Sequence, residues 1–179
     1  MSAFVVALLG AESTGKTTLA AELGAALAAR GVAVEVVGEV LREFCDTHAR
    51  TPRRDEQAAI AAAQSARIAA AARRADVVVA DTTALMIAIY SDLVFADTSL
   101  YDEALAAQRR FDLTLVTALD LPWQADGLQR DGAHVRAPVD AKLRAALARG
   151  GIAATTVAGA GPARVAAALA AIDAALAAR

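Results

Sequence analysis

The segment GAESTGKT at 10–17 sets two glycines, a lysine and a hydroxyl at the spacing G-x-x-x-x-G-K-(S/T). Glycine at 10 and 15 permits backbone angles and close approaches that a Cβ forbids. Successive amide N–H groups can then converge on phosphate oxygens at the positive end of a following helix. Lys16 would set a point charge on the β- and γ-phosphates, and the Thr17 hydroxyl is the expected Mg²⁺ ligand. Gly10, Glu12, Ser13, Thr14, Gly15, Lys16, Thr17 and Thr18 are accordingly the expected contacts of ATP or a similar nucleotide. Lysine otherwise occurs only at Lys142, in a chain rich in arginine, so a lysine at 16 argues for a compact ammonium there.

Phosphate chemistry needs further parts. Asp81 ends the apolar run DVVVA, where an acid reaches the metal or its water; the competing role is an N-cap for the next helix, shared with Thr82 and Thr83. Glu39, with Arg42 and Glu43 three and four positions on, can share one helix face. A carboxylate there could accept a substrate hydroxyl or its proton, or the group could be a solvated ion pair. Trp123, Asp126, Arg130 and Arg136 fall in one polar stretch. Its arginines could neutralise a transferring phosphoryl group, and its tryptophan could stack on a planar base or pin the loop. Gly159 to Arg164, before the last helix, is the expected adenine contact. His48, His134 and Cys45 have no ligand cluster around them and take surface, cap or packing roles.

The elements that must hold these residues are read from apolar runs. Five runs without strict alternation, at 3–9, 32–37, 76–80, 112–118 and 152–158, suit a parallel sheet covered on both faces. Helical stretches occupy about 16–30, 55–74, 84–95, 99–109, 139–149 and 162–178, the first ending at Gly31. The expectation is one α/β domain over 1–179 with a three-layer α/β/α P-loop NTPase fold, a five-stranded mainly parallel sheet, and a lid at about 122–138. A net charge of −2 provides no bulk field for nucleic acid or an anionic membrane. One cysteine and no apolar run of spanning length lead to a cytoplasmic expectation.

The order GAESTGKTTL, GEVLREF, AIAAAQ, DTT, FDLTLV, LPWQADGLQR resembles the ribosylnicotinamide kinase domain of bifunctional NadR proteins, over nearly the whole chain. The resemblance implies transfer of a phosphoryl group from MgATP to the 5′-hydroxyl of nicotinamide riboside. By position, Glu39 and Arg42 match the family's E-Y-x-R-E-Y segment and Asp81 its D-T-D acid. Trp123 and Asp126 match its W-x-x-D-G substrate and lid segment, which implies substrate binding by both together with Glu39 and Arg42, and Arg136 matches the lid arginine. The chain departs from the pattern at Val40 and Phe44 (tyrosines), Thr83 (aspartate) and Gln129, with arginine one place late at Arg130. The chain starts three residues before its first strand, so the adenylyltransferase domain of those proteins, and any DNA-binding role, are expected to be absent. The alternatives are another nucleoside or nucleotide kinase of this fold, for which Arg42 with Arg67 could hold an acceptor phosphate, or a regulatory ATPase switch.

Overall fold

The computed structural model describes residues 3–124 and 132–179. Among these residues five strands form one sheet: β1 (Phe4–Leu9), β2 (Val34–Val37), β3 (Val77–Asp81), β4 (Leu113–Thr117) and β5 (Thr155–Val157). Their order is β2-β3-β1-β4-β5 and every pairing is parallel. Seven α-helices accompany them among the described residues: α1 (Lys16–Ala29), α2 (Val40–His48), α3 (Gln57–Ala71), α4 (Ala84–Phe95), α5 (Tyr101–Gln108), α6 (Arg136–Arg149) and α7 (Gly161–Ala177).

The unbroken apolar runs are explained by burial from both sides. Phe4, Val6 and Leu8 of β1 pack with Leu19, Leu23 and Leu27 of α1 and Ile172 of α7. Val5 points the other way, with Ile68 of α3, and Leu9 joins α4, α5 and α6. The sheet is thus the middle of three layers, as a chain with buried parallel strands requires. Among the described residues no helix is long and apolar enough to cross a membrane.

Sequence and structure differ at element ends. Glu39–His48 carries a helix, α2, that apolar periodicity alone does not delimit; Glu39 sits at its N-cap with an extended backbone. The long third helix begins at Gln57, after a 3₁₀ turn at Arg54–Glu56 in which the Glu56 carboxylate accepts from the Arg53 backbone N–H (2.7 Å). The sixth starts at Arg136 rather than 139, placing Arg136 and Pro138 inside the helix instead of a loop. Proline is tolerated there because first-turn N–H groups have no intrahelical acceptor.

Candidate active site

Parallel register brings the candidate residues together. Leu8 of β1 lies opposite Asp81 of β3, and Leu9 opposite Val116 of β4. The loop after β1 therefore emerges between the ends of β3 and β4, where ligands of open α/β sheets bind. Gly10 has φ 149°, and a Cβ there would lie 2.0 Å from Thr117 Oγ1, so β4 itself forbids any other residue. The Thr117 and Thr14 hydroxyls are 2.7 Å apart, and Thr14 also reaches the Ala11 carbonyl oxygen (2.7 Å). Gly15, at φ 74°, caps α1 in the left-handed region, and its missing side chain leaves room for Leu121. Ser13 holds φ 56° without being glycine, a strain of the kind that concentrates at ligand sites.

Lys16 Nζ donates to the Ala11 carbonyl oxygen at 2.8 Å, reaching from the start of α1 back across the loop. Ser13 is doubly tied to the segment after β4: its hydroxyl donates to the Gln124 carbonyl oxygen (2.9 Å) and accepts from Gln124 N–H (2.8 Å). Above this loop lies a cleft of ≈ 610 Å³, with Ser13 to Thr18, Glu39, Arg42 and Arg164 among its walls. A smaller cavity of ≈ 60 Å³ adjoins it, lined by Gly10, Glu12, Lys16, Glu39, Leu41, Arg42, Thr82, Met86 and Tyr90. Lys16, Glu39 and Arg42 belong to both cavities.

Two arginines are buried close to the cleft. Arg164, 4% exposed, donates to the Gly159 carbonyl oxygen (3.1 Å) and lies 3.6 Å from Asp120. Its Nε and Nη2 have no hydrogen-bond partner. Burial lowers the pKa of its guanidinium and Asp120 opposes that shift; an arginine so placed remains a cation seeking an anion. Arg136 donates to the Leu121 carbonyl oxygen (2.9 Å) from the first turn of α6, also with Nε and Nη2 buried and unpaired.

Asp81 is 2% exposed and its Oδ1 is buried without a partner. The capping role open to it falls to Thr83, whose hydroxyl accepts from Leu85 N–H (3.3 Å) and donates to Gln108 Oε1 (2.7 Å). Between them Thr82 takes φ 79°, exceptional for a β-branched residue. Asp81 forms no wall of either cavity, whereas Thr82 lines the smaller one. The Thr17 hydroxyl and the orphaned Asp81 oxygen are hard donors that suit Mg²⁺, an ion that retains water and phosphate oxygens instead of needing a protein cage. Among the described residues no cluster of three or more His, Cys, Asp or Glu side chains could hold a metal alone.

Gln64 of α3, fully buried, joins two of these turns. Its Oε1 accepts from Val40 N–H (2.8 Å), and its Nε2 donates to the carbonyl oxygens of Gly38 (3.2 Å) and Thr82 (3.3 Å). Glu39 is thereby registered against the turn that follows Asp81. Motif spacing does not reveal this role, nor those of Thr117, Thr82 and Tyr90, because each depends on contacts distant in sequence. Trp123 is half-buried with its indole N–H buried and unpaired, outside the lining of both cavities. Phe44 stacks on His48 (centroids 4.1 Å apart), and Val40 packs with Ile60 and Ile87. Arg67 is drawn to Glu43, away from both cavities. Asp126, Gln129 and Arg130, in the middle of the expected lid, lie outside the described residues.

A family model described as AAA domain matches residues 5–164. No curated protein matches the chain significantly. Among solved structures, NadR protein in complex with NR superposes with a TM-score of 0.78 at 22% identity, covering 95% of this chain and 48% of the other. NadR protein in complex with NAD and AMP-PNP gives 0.71 at 20% identity, with the same coverage. The chain spans about half the length of those proteins, and the likeness establishes a shared fold.

Proposed function

We propose, on the premise that this chain belongs to the AAA-domain family, that it is an ATP-dependent kinase of a small molecule, with nicotinamide riboside the favoured acceptor. The fold is a P-loop nucleotide-binding one shared with NadR complexes that hold NR and AMP-PNP. The observation that carries the kinase reading is the pair of adjoining cavities walled jointly by Lys16, Glu39 and Arg42. A hydrolytic switch needs one nucleotide cleft; a second cavity that shares the phosphate lysine with the first suits an acceptor.

On this reading the triphosphate lies over Gly10 to Thr18, with Lys16 on the β- and γ-phosphates and Arg164 toward the adenine end. Thr17 and Asp81 would hold Mg²⁺, which neutralises charge on the phosphate oxygens. Of the two candidate bases, Glu39 is favoured because it lines both cavities and Asp81 lines neither. The acceptor hydroxyl oxygen attacks the γ-phosphorus, and that O–P bond forms as the bond to the β–γ bridging oxygen breaks. ADP leaves with the electron pair and the hydroxyl proton passes to Glu39. Catalysis here is positioning and charge stabilisation. Arg136, and Arg130 with Asp126 and Trp123 in the lid, are assigned the exclusion of water and support of the transferring group. The product with nicotinamide riboside would be nicotinamide mononucleotide, placing the protein in cytoplasmic NAD salvage. A nucleoside monophosphate acceptor is less well suited, since Arg67 is occupied by Glu43 outside the cleft.

Incubation with γ-labelled ATP, Mg²⁺ and a nucleoside panel tests the reading. Label in nicotinamide riboside supports it. Label in another nucleoside alone redirects the acceptor, and phosphate release with no acceptor labelled favours a switch. Lys16→Ala should lower kcat by roughly 10²–10³-fold, the cost of one lost oxyanion donor, with an unchanged Tm.

A further inference from the structure

Beyond the ≈ 60 Å³ cavity the wall formed by Leu41 and Tyr90 continues into another hollow, of ≈ 120 Å³. Its remaining lining is Thr51, Pro52, Gln57, Val94 and Phe95, drawn from the 51–57 segment and the end of α4. None of these side chains is charged. Val94 is 55% exposed, one of few large apolar side chains left open among the described residues. Gln57, by contrast, is only 5% exposed, yet its Oε1 is buried without a hydrogen-bond partner. A buried carbonyl without a donor is unfavourable, which makes this oxygen a group that a ligand N–H would satisfy.

We infer that this hollow seats the planar base of the acceptor, and that Gln57 Oε1 accepts a hydrogen bond from an exocyclic N–H on that base. The inference rests on the kinase reading and narrows it. Apolar cavities of roughly 150 Å³ admit one aromatic ring, and the size here is of that order. Tyr90 and Phe95 offer ring faces, and Leu41, Pro52 and Val94 offer apolar contact. The selected class is a nucleoside whose aromatic base carries a carboxamide or exocyclic amine. A carboxylate in the same place would be desolvated beside an acceptor oxygen with no cation in the lining, an expensive arrangement. Specificity at this end comes from few polar groups in a largely apolar setting, the usual economy of small-molecule sites.

The test compares kcat/KM for paired acceptors, nicotinamide riboside against nicotinic acid riboside and cytidine against uridine, in wild type, Gln57→Met and Val94→Trp. Gln57→Met retains length and removes the acceptor oxygen. Wild type should favour the member with an exocyclic NH₂ (nicotinamide riboside, cytidine) in at least one pair by roughly tenfold or more, the scale of a single buried hydrogen bond. Gln57→Met should shrink that preference to within about threefold while leaving the KM for ATP unchanged, and its Tm should hold or rise. Val94→Trp, at an exposed position, should raise the acceptor KM several-fold and spare that of ATP. Failure of wild type to label any nucleoside overturns the kinase reading and this inference together. Labelling without discrimination overturns this inference alone. So does a preference that survives Gln57→Met, including with a lowered Tm, which would make Gln57 a packing residue.

Discussion

Asp81 is held nearly free of solvent with one oxygen facing no donor, and burying a carboxylate in that way costs stability unless a cation arrives. Asp81→Asn should therefore keep or raise the Tm of the ligand-free protein. It should lower kcat by about 10²-fold and raise the Mg²⁺ concentration giving half-maximal rate. Calorimetry and a Mg²⁺ titration of initial rates read the two effects separately; a lowered Tm with an unaltered Mg²⁺ requirement would leave Asp81 a structural residue. The sequence points to this residue through its place at a strand end, and cannot decide between metal ligand and helix cap. That decision lies in Thr83, which occupies the cap with its own hydroxyl. Gly10 shows the same limit. Its spacing marks it as glycine, but the reason no other residue fits is Thr117, more than a hundred positions along and adjacent only through strand register.

Elements carry the next layer of argument, because the site is assembled from turns that do not touch in sequence. α3 contributes Gln64, which ties the β2–α2 turn to the β3–α4 turn. Gln64→Leu should cost about 1–3 kcal/mol by leaving the buried Val40 N–H without its acceptor. It should also lower kcat more than it alters the KM for ATP, which urea unfolding and steady-state kinetics can check. A second dependence concerns the segment carrying Pro52 and Gln57. Hydrogen bonds from Arg50 and from the Arg53 backbone hold the Glu56 carboxyl down to about 2, and Ser99 with Arg54 holds Asp97 down to about 2. For carboxyls depressed in the folded state, the native protein binds fewer protons than the unfolded chain. Their contribution is thus complete above the unfolded values near 4 and disappears as pH falls toward 2. Glu56→Gln should flatten the Tm–pH curve between about pH 5 and 2, as a thermal-shift series would show. The main elements were readable from apolar runs. Glu39–His48 was not delimited as a helix, since its periodicity is brief, and the start of α3 moved because the Arg53–Glu56 turn precedes it.

For the molecule as a whole, the expectation of a three-layer α/β/α fold with five strands is met, and the sheet is entirely parallel. What was not legible is how tightly the acceptor side is joined to the phosphate side, because the joining atoms sit in buried side chains of distant elements. Nucleotide binding should therefore stabilise the entire domain. With a nonhydrolysable ATP analogue and Mg²⁺ at about a hundred times Kd, linkage gives about 2.7 kcal/mol, a Tm rise of roughly 5–10 °C for a chain of this size. Lys16→Ala should remove most of that rise at the same ligand concentration. The strand order also has a consequence in time. β1 occupies the middle of the sheet but is the earliest strand in the chain, and both of its neighbours, β3 and β4, come much later. During synthesis it must wait unpaired, and such distant pairings form slowly. The floor beneath Gly10 does not exist until Thr117 has been made and docked. Nucleotide can thus act as a folding ligand only once the chain is made through β4, and a nascent chain stopped short of β4 should remain blind to ATP.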